Sequence, residues 1–78
     1  MITIKLFGIT REIAGSDALT VAEPVKNVRQ LLAYLHAQYP RLAELNSLMV
    51  AVNDEYATDE TPVSASDEVA LIPPVSGG

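Results

Sequence analysis

Two glycines, Gly77 and Gly78, close the sequence behind Pro73, Pro74, Val75 and Ser76. A run of this kind is expected to present a main-chain carboxylate. The chemistry open to that group is acyl transfer. A carboxylate is a poor electrophile as it stands and becomes a good one once its oxygen is made into a better leaving group. Glycine suits a tail that must enter a narrow channel, because without Cβ it takes up backbone conformations closed to other residues. Pro73 and Pro74 fix φ and favour extended geometry at Ile72 and Pro73, so they are expected to project the tail away from the strand before them. Six extended residues reach roughly 20 Å, enough to run from a docking surface into a buried site. Pro-Pro is also a simple strand stop, and a diglycine is also what a frayed end looks like.

Little else in the chain is equipped for catalysis. His36 is the only histidine. It lies at the edge of a helical stripe and reads as a surface or boundary residue, with no partners that would make it a metal ligand. Asp54-Glu55, Asp59-Glu60 and Asp67-Glu68 have the look of paired carboxylates. They read as solvated turns, since nothing nearby would push their pKa values apart. There is no cysteine, hence no disulfide and no thiolate metal site. There is no phosphate-cradling loop of the Gly-x-x-x-x-Gly-Lys kind.

Five basic against ten acidic residues leave a net charge of −5. That speaks against nucleic acid, whose binding rests on Lys and Arg. It is compatible with a protein partner offering a basic surface. No stretch has the length and apolarity of a membrane span or a signal peptide, so a cytoplasmic protein is expected.

The elements that must hold the tail follow from periodicity. Ile2, Ile4 and Leu6 alternate with Thr3, Lys5 and Phe7, a strand with one face inward. Thr10 to Ala14 fits a single helical turn, and Gly15, Ser16 and Asp17 mark a reversal. Leu19 and Val21 belong to a second strand that stops at Pro24. Asn27 is placed to cap a helix, with Gln30 as its reciprocal partner. Val28, Leu31, Leu32, Leu35 and Tyr39 form one apolar stripe of that helix, and Pro40 ends it. Leu42, Ala43 and Leu45 fit a further short turn. Leu48 to Val52 is unbroken apolar sequence and predicts a central, buried strand. Asn53, Asp54 and Glu55 suit a reversal, after which Tyr56 and Ala57 pair back. Thr58 to Ser66 is polar and turn-rich, and Val69 to Ile72 is the last strand.

One helix covers only one face of a sheet, so these elements predict an α+β fold with a single mixed sheet wrapped around one main helix. The first and last strands are expected to be neighbours at its centre, a β-grasp arrangement over residues 1–72 with an extended tail at 73–78. A chain of this length buries only about 60% of its unfolded surface, and an apolar fraction of 49% supplies the core it needs.

With the elements in place, the chain resembles the ubiquitin-like sulfur carriers and, within them, the small-subunit branch of molybdopterin synthase. The likeness rests on Ile2 to Phe7, on Arg11 and Glu12, and on Val50-Ala51-Val52-Asn53. It continues through Asp67-Glu68-Val69-Ala70 and is most specific at Pro73-Pro74-Val75-Ser76-Gly77-Gly78. Ser76 stands where many relatives carry Thr, and Leu71 and Ile72 where some carry aromatic residues. The resemblance implies that Gly78 is adenylated by a ubiquitin-activating-type adenylyltransferase and then thiocarboxylated. The large subunit of molybdopterin synthase would then take the sulfur to convert cyclic pyranopterin monophosphate into molybdopterin. Two carriers on a dimer of large subunits would make a heterotetramer. On this reading the chain binds no cofactor of its own and lacks catalytic side chains, and ATP is held by the activating partner. With no cysteine present, the sulfur cannot rest on a side-chain thiol.

Strand alternation turns Ile4, Leu6, Val69 and Leu71 inward and leaves Phe7 and Ile72 outside, with Tyr56 nearby. Large exposed apolar residues beside a functional tail predict a binding patch, with Arg11 as a candidate polar contact at its rim. Pro73, Pro74, Val75 and Ser76 join the partner-binding set, and Gly77 and Gly78 carry the chemistry. Other readings are a carrier for thiamine, thionucleoside or amino-acid sulfur, a protein modifier that forms isopeptide bonds, and a β-grasp interaction module without chemistry.

Overall fold

A computed structural model describes residues 1–22, 24–45 and 48–73. In chain order the elements are β1 (Ile2–Leu6), α1 (Ile9–Ala14), β2 (Ala18–Val21), α2 (Val28–Gln38), a 3-10 turn (Pro40–Glu44), β3 (Met49–Val52), β4 (Glu55–Tyr56) and β5 (Val69–Ile72). The strands form one sheet in the order β2-β1-β5-β3-β4. β1 runs parallel to β5, and every other pair is antiparallel. The mixed sheet with the first and last strands adjacent is the β-grasp arrangement expected from the periodicity.

Alternation decides what each face carries. Ile2, Ile4, Leu6, Val21, Val50, Val52, Val69 and Leu71 share the inner face and are buried. The apolar stripe of α2 packs among them through Val28, Leu31 and Leu35, joined by Leu42 of the 3-10 turn. Val63, from the polar stretch between β4 and β5, also enters this core. Its single apolar side chain had no periodic neighbours to give it away.

α2 starts as its cap predicts. Asn27 Oδ1 accepts from the Gln30 N–H at 2.9 Å. The return bond differs, since Gln30 Oε1 accepts from the Lys26 N–H at 2.9 Å and not from that of Asn27. The segment entering the helix is tied to 61–63: Val63 N–H donates to Lys26 O and Val28 N–H to Thr61 O, both at 3.0 Å. That pairing brings the Lys26 N–H within reach of Gln30. Pro40 ends α2 by opening the 3-10 turn at its first position.

The helical turn expected at Thr10 to Ala14 is present and starts one residue earlier. Residues Ile9–Ala14 form α1, with Gly15 in the left-handed region at φ 76° as its C-terminal cap. The strand expected in the apolar run 48–52 is β3, an interior strand between β5 and β4 with Val50, Ala51 and Val52 buried, although β5 takes the middle of the sheet. β3 has Val50 and Val52 inside, whereas Met49 lies on the other face and is 43% exposed. Unbroken apolarity concealed an ordinary alternation, because the outward residues Met49 and Ala51 are apolar as well.

The corner between β3 and β4 is an Asn53-Asp54 turn with φ of 53° and 67°, the left-handed pair that matches strand twist in a two-residue hairpin. Asn53 binds the approach to β5. Its N–H donates to Glu68 O at 2.7 Å, its Oδ1 accepts from the Glu68 N–H, and its Nδ2 donates to Asp67 Oδ1, both at 3.0 Å. The Ser64 N–H donates to Asp67 Oδ2 at 2.8 Å. The Asn53 side chain first, and the Ser64 backbone second, hold the Asp67 carboxyl below the usual aspartate range. A carboxylate favoured by the fold stabilises it above its unfolded pKa, and the benefit is lost as pH falls through the folded value. The stability gap between the protein and Asp67→Asn should therefore shrink when urea unfolding is repeated from about pH 7 down to about pH 2.5. A gap that stays constant across that range would show that this charge contributes nothing.

Candidate functional site

The face of the sheet turned away from α2 carries Thr3, Lys5, Thr20, Met49 and Tyr56, all exposed. Register assembles one row across it: Lys5 lies beside Ala70, Ala70 beside Ala51, and Ala51 beside Tyr56. A second pair, Ile72 and Met49, stands alongside. Two alanines thus sit in the middle with long side chains around them. The result is a hollow of about 360 Å³ lined by Lys5, Phe7, Ala51, Asp54, Tyr56, Glu68, Ala70 and Ile72. The alanine methyls make its floor, Phe7, Tyr56 and Ile72 its apolar walls, and Lys5, Asp54 and Glu68 its charged rim.

Phe7, 48% exposed, and Tyr56, 68% exposed, present large apolar surfaces on this face among the described residues. A cluster of this kind is a candidate docking surface. Its rim holds two carboxylates against one ammonium, so a partner with a cationic side chain beside its apolar anchor fits best. If Phe7 is one of the anchors, Phe7→Ala weakens binding of a protein docked on this face by about 1–3 kcal/mol and leaves the fold unchanged. Titration calorimetry checks this, and equal affinity for a folded variant would remove Phe7 from the surface.

The structure brings together three of the residues singled out from sequence, Phe7, Tyr56 and Ile72. Arg11 is elsewhere. It sits on α1 in a separate shallow depression with Gly8, Glu12, Gly15, Ser16 and Asp17. Its Nε donates to Asp17 Oδ1 at 3.0 Å in an exposed ion pair, the kind that contributes little stability. Pro73 follows β5 directly and packs against Gly8. Pro74, Val75, Ser76, Gly77 and Gly78 lie outside the described residues.

Of the acidic pairs, Glu60 accepts from Arg29 Nη2 at 2.9 Å, whereas Asp54 and Glu68 belong to the rim of the hollow. His36 is partly buried on the last turn of α2. Among the described residues no three His, Cys, Asp or Glu side chains come together as a metal site would require.

Lys5, Asp54 and Glu68 at the rim, and Ala51 and Ala70 on the floor, were missed from sequence. The alanines did leave a signal. Alanine is depleted in strands, yet one sits between valines in β3 and another between Val69 and Leu71 in β5. What periodicity lacks is register, which alone shows that the two are adjacent.

A mixed sheet grasping one helix, with an apolar hollow on its open face next to the last strand, defines a ubiquitin-like β-grasp protein. The chain belongs to the ThiS family, whose model matches residues 4–78. It is 42% identical to the molybdopterin synthase sulfur carrier subunit of Arabidopsis thaliana, over 99% of this chain and 82% of that one. Identity to the Escherichia coli protein of the same name is 38%, covering 100% of both. The crystal structure of SAMP1 from Haloferax volcanii superposes with a TM-score of 0.81 at 32% identity, covering 99% of this chain and 98% of that one.

Proposed function

We propose that the chain is the sulfur carrier subunit of a molybdopterin synthase. Its full-length likeness to two proteins of that name carries the reading. The hollow on the sheet face next to the root of the tail supports it, since a carrier must be held by its body while its end is worked on elsewhere.

The chemistry falls on Gly78. Its carboxylate attacks the α-phosphorus of ATP on a ubiquitin-activating-type adenylyltransferase; pyrophosphate leaves and an acyl-adenylate forms. Hydrosulfide released by a sulfur donor then attacks the acyl carbon and gives up its proton to solvent, and AMP departs with the electron pair of the C–O bond. The product is a thiocarboxylate. Gly77, having no side chain, lets the end lie in a narrow channel. The open sheet face docks on the large subunit, and the tail carries sulfur to cyclic pyranopterin monophosphate, which becomes molybdopterin. Two carriers on a dimer of large subunits complete a heterotetramer.

The chain itself supplies a surface and an acyl end, while ATP and the pterin are bound by its partners. The proposal places it in the cytoplasm, where ATP is at hand. Among the described residues no helix is long and apolar enough to cross a membrane.

Co-expression with the adenylyltransferase and a sulfur donor, followed by intact-mass measurement, tests this. One oxygen of the chain should be replaced by sulfur, and the loaded carrier should convert cyclic pyranopterin monophosphate when mixed with the large subunit. An unmodified mass in the presence of an active adenylyltransferase would sink the reading. A second reading is favoured by the likeness to SAMP1, a small archaeal modifier protein: attachment of Gly78 to lysines of other proteins. It predicts a ladder of conjugates in extracts probed through an amino-terminal tag.

A further inference from the structure

Phe7, Gly8 and Pro73 meet at the corner where β1 and β5 both end. Thr10 is the one polar residue buried among those described, with 0% exposure. Its hydroxyl accepts from the Phe7 N–H at 2.9 Å and donates to the Phe7 carbonyl at 2.6 Å. The Thr10 N–H donates to the same carbonyl at 3.2 Å. Both polar groups of the Phe7 backbone are thereby clasped, which holds the main chain that carries the wall of the hollow.

The next residue departs from ordinary backbone. Gly8 has φ 57° and ψ −132°, a conformation that side chains of L-residues rarely take. A Cβ placed on it would stand 2.9 Å from Cγ of Pro73, closer than two carbons approach without one of them moving. The proline ring therefore rests on the bare side of Gly8. Pro73 is the point from which residues 74–78 depart.

We propose that Gly8 is a positioning residue for acyl delivery. By leaving room for the Pro73 ring it sets the direction in which the chain leaves β5, and the Thr10 clasp ties that direction to the docking wall at Phe7. The inference rests on the sulfur-carrier reading. An angular error at the root grows along a tail with a reach of roughly 20 Å, whereas reacting atoms must come within about 3–3.5 Å of each other. A carrier with a misdirected root still docks and fails to deliver.

The test measures two quantities for the thiocarboxylated protein and for Gly8→Ala and Pro73→Ala: the Kd for the large subunit, and the single-turnover rate of sulfur delivery at saturation. The saturated rate should fall at least about tenfold in Gly8→Ala, by a larger factor than the Kd rises. Pro73→Ala removes the other half of the contact and should show the same split, and it decides alone if Gly8→Ala does not fold. Wild-type rates in both variants, or rate and affinity falling by equal factors, overturn the role of Gly8 and leave the carrier function intact. A wild-type carrier that delivers nothing defeats the carrier reading and this inference together.

Discussion

Replacing Ala70 with leucine should leave the fold standing and deprive the chain of its partner. Ala70 lies on the central strand with its methyl on the open face, between Lys5 on one side and Ala51 on the other. The hollow above it has room for a larger side chain, so leucine adds three carbons outside the core without opening a cavity or forcing overpacking inside it. On the proposed function, the same three carbons occupy the space that an anchor of the large subunit takes up. Loss of that fit should weaken docking on the order of 3 kcal/mol, roughly a hundredfold in Kd. Titration calorimetry against the large subunit reads the loss, and thermal unfolding checks that the midpoint moves by no more than a few degrees. Undiminished affinity in a folded Ala70→Leu variant would mean that the partner binds somewhere other than this face.

The next residue along should behave in the opposite way. Leu71 is 0% exposed and lies between Leu6 of β1 and Val50 of β3, in the core that α2 covers. Leu71→Ala removes buried carbons from the middle of the sheet, where strands on both sides and a helix above prevent collapse into the gap. The expected cost is about 3–5 kcal/mol. Domains have only about 5–15 kcal/mol in total, and one of 78 residues sits towards the lower end. The variant should accordingly unfold at a much lower urea concentration with a similar slope. A loss below about 1 kcal/mol would show that the core around β5 relaxes freely, contrary to the packing described. Two adjacent positions thus separate binding from stability, because successive side chains in a strand point to opposite faces.

Most of the scaffold is legible in the amino-acid sequence. The Asn27 cap, the stripe Val28, Leu31 and Leu35, and the alternation of Ile2, Ile4 and Leu6 each depend on neighbours a few residues away, and local spacing records such neighbours directly. The facing of β3 was hidden for the same reason in reverse. Met49 and Ala51 are apolar although they lie on the open face, and a run of apolar letters cannot say which of its members face outward. Val63 escaped because one buried side chain in a loop has no period.

From sequence alone came the β-grasp order, the inward set of the core and the outward placing of Phe7, Tyr56 and Ile72. These follow from chain-local rules of hydrophobic period, capping and proline geometry, which operate without knowledge of the fold. The alanine floor between those three side chains, the separation of Arg11 from them, the Asn53–Asp67 bonds and the seat of Pro73 on Gly8 were decided only in three dimensions. Each joins segments far apart in the chain, and each depends on strand register and crossing, which distant contacts select when the core closes.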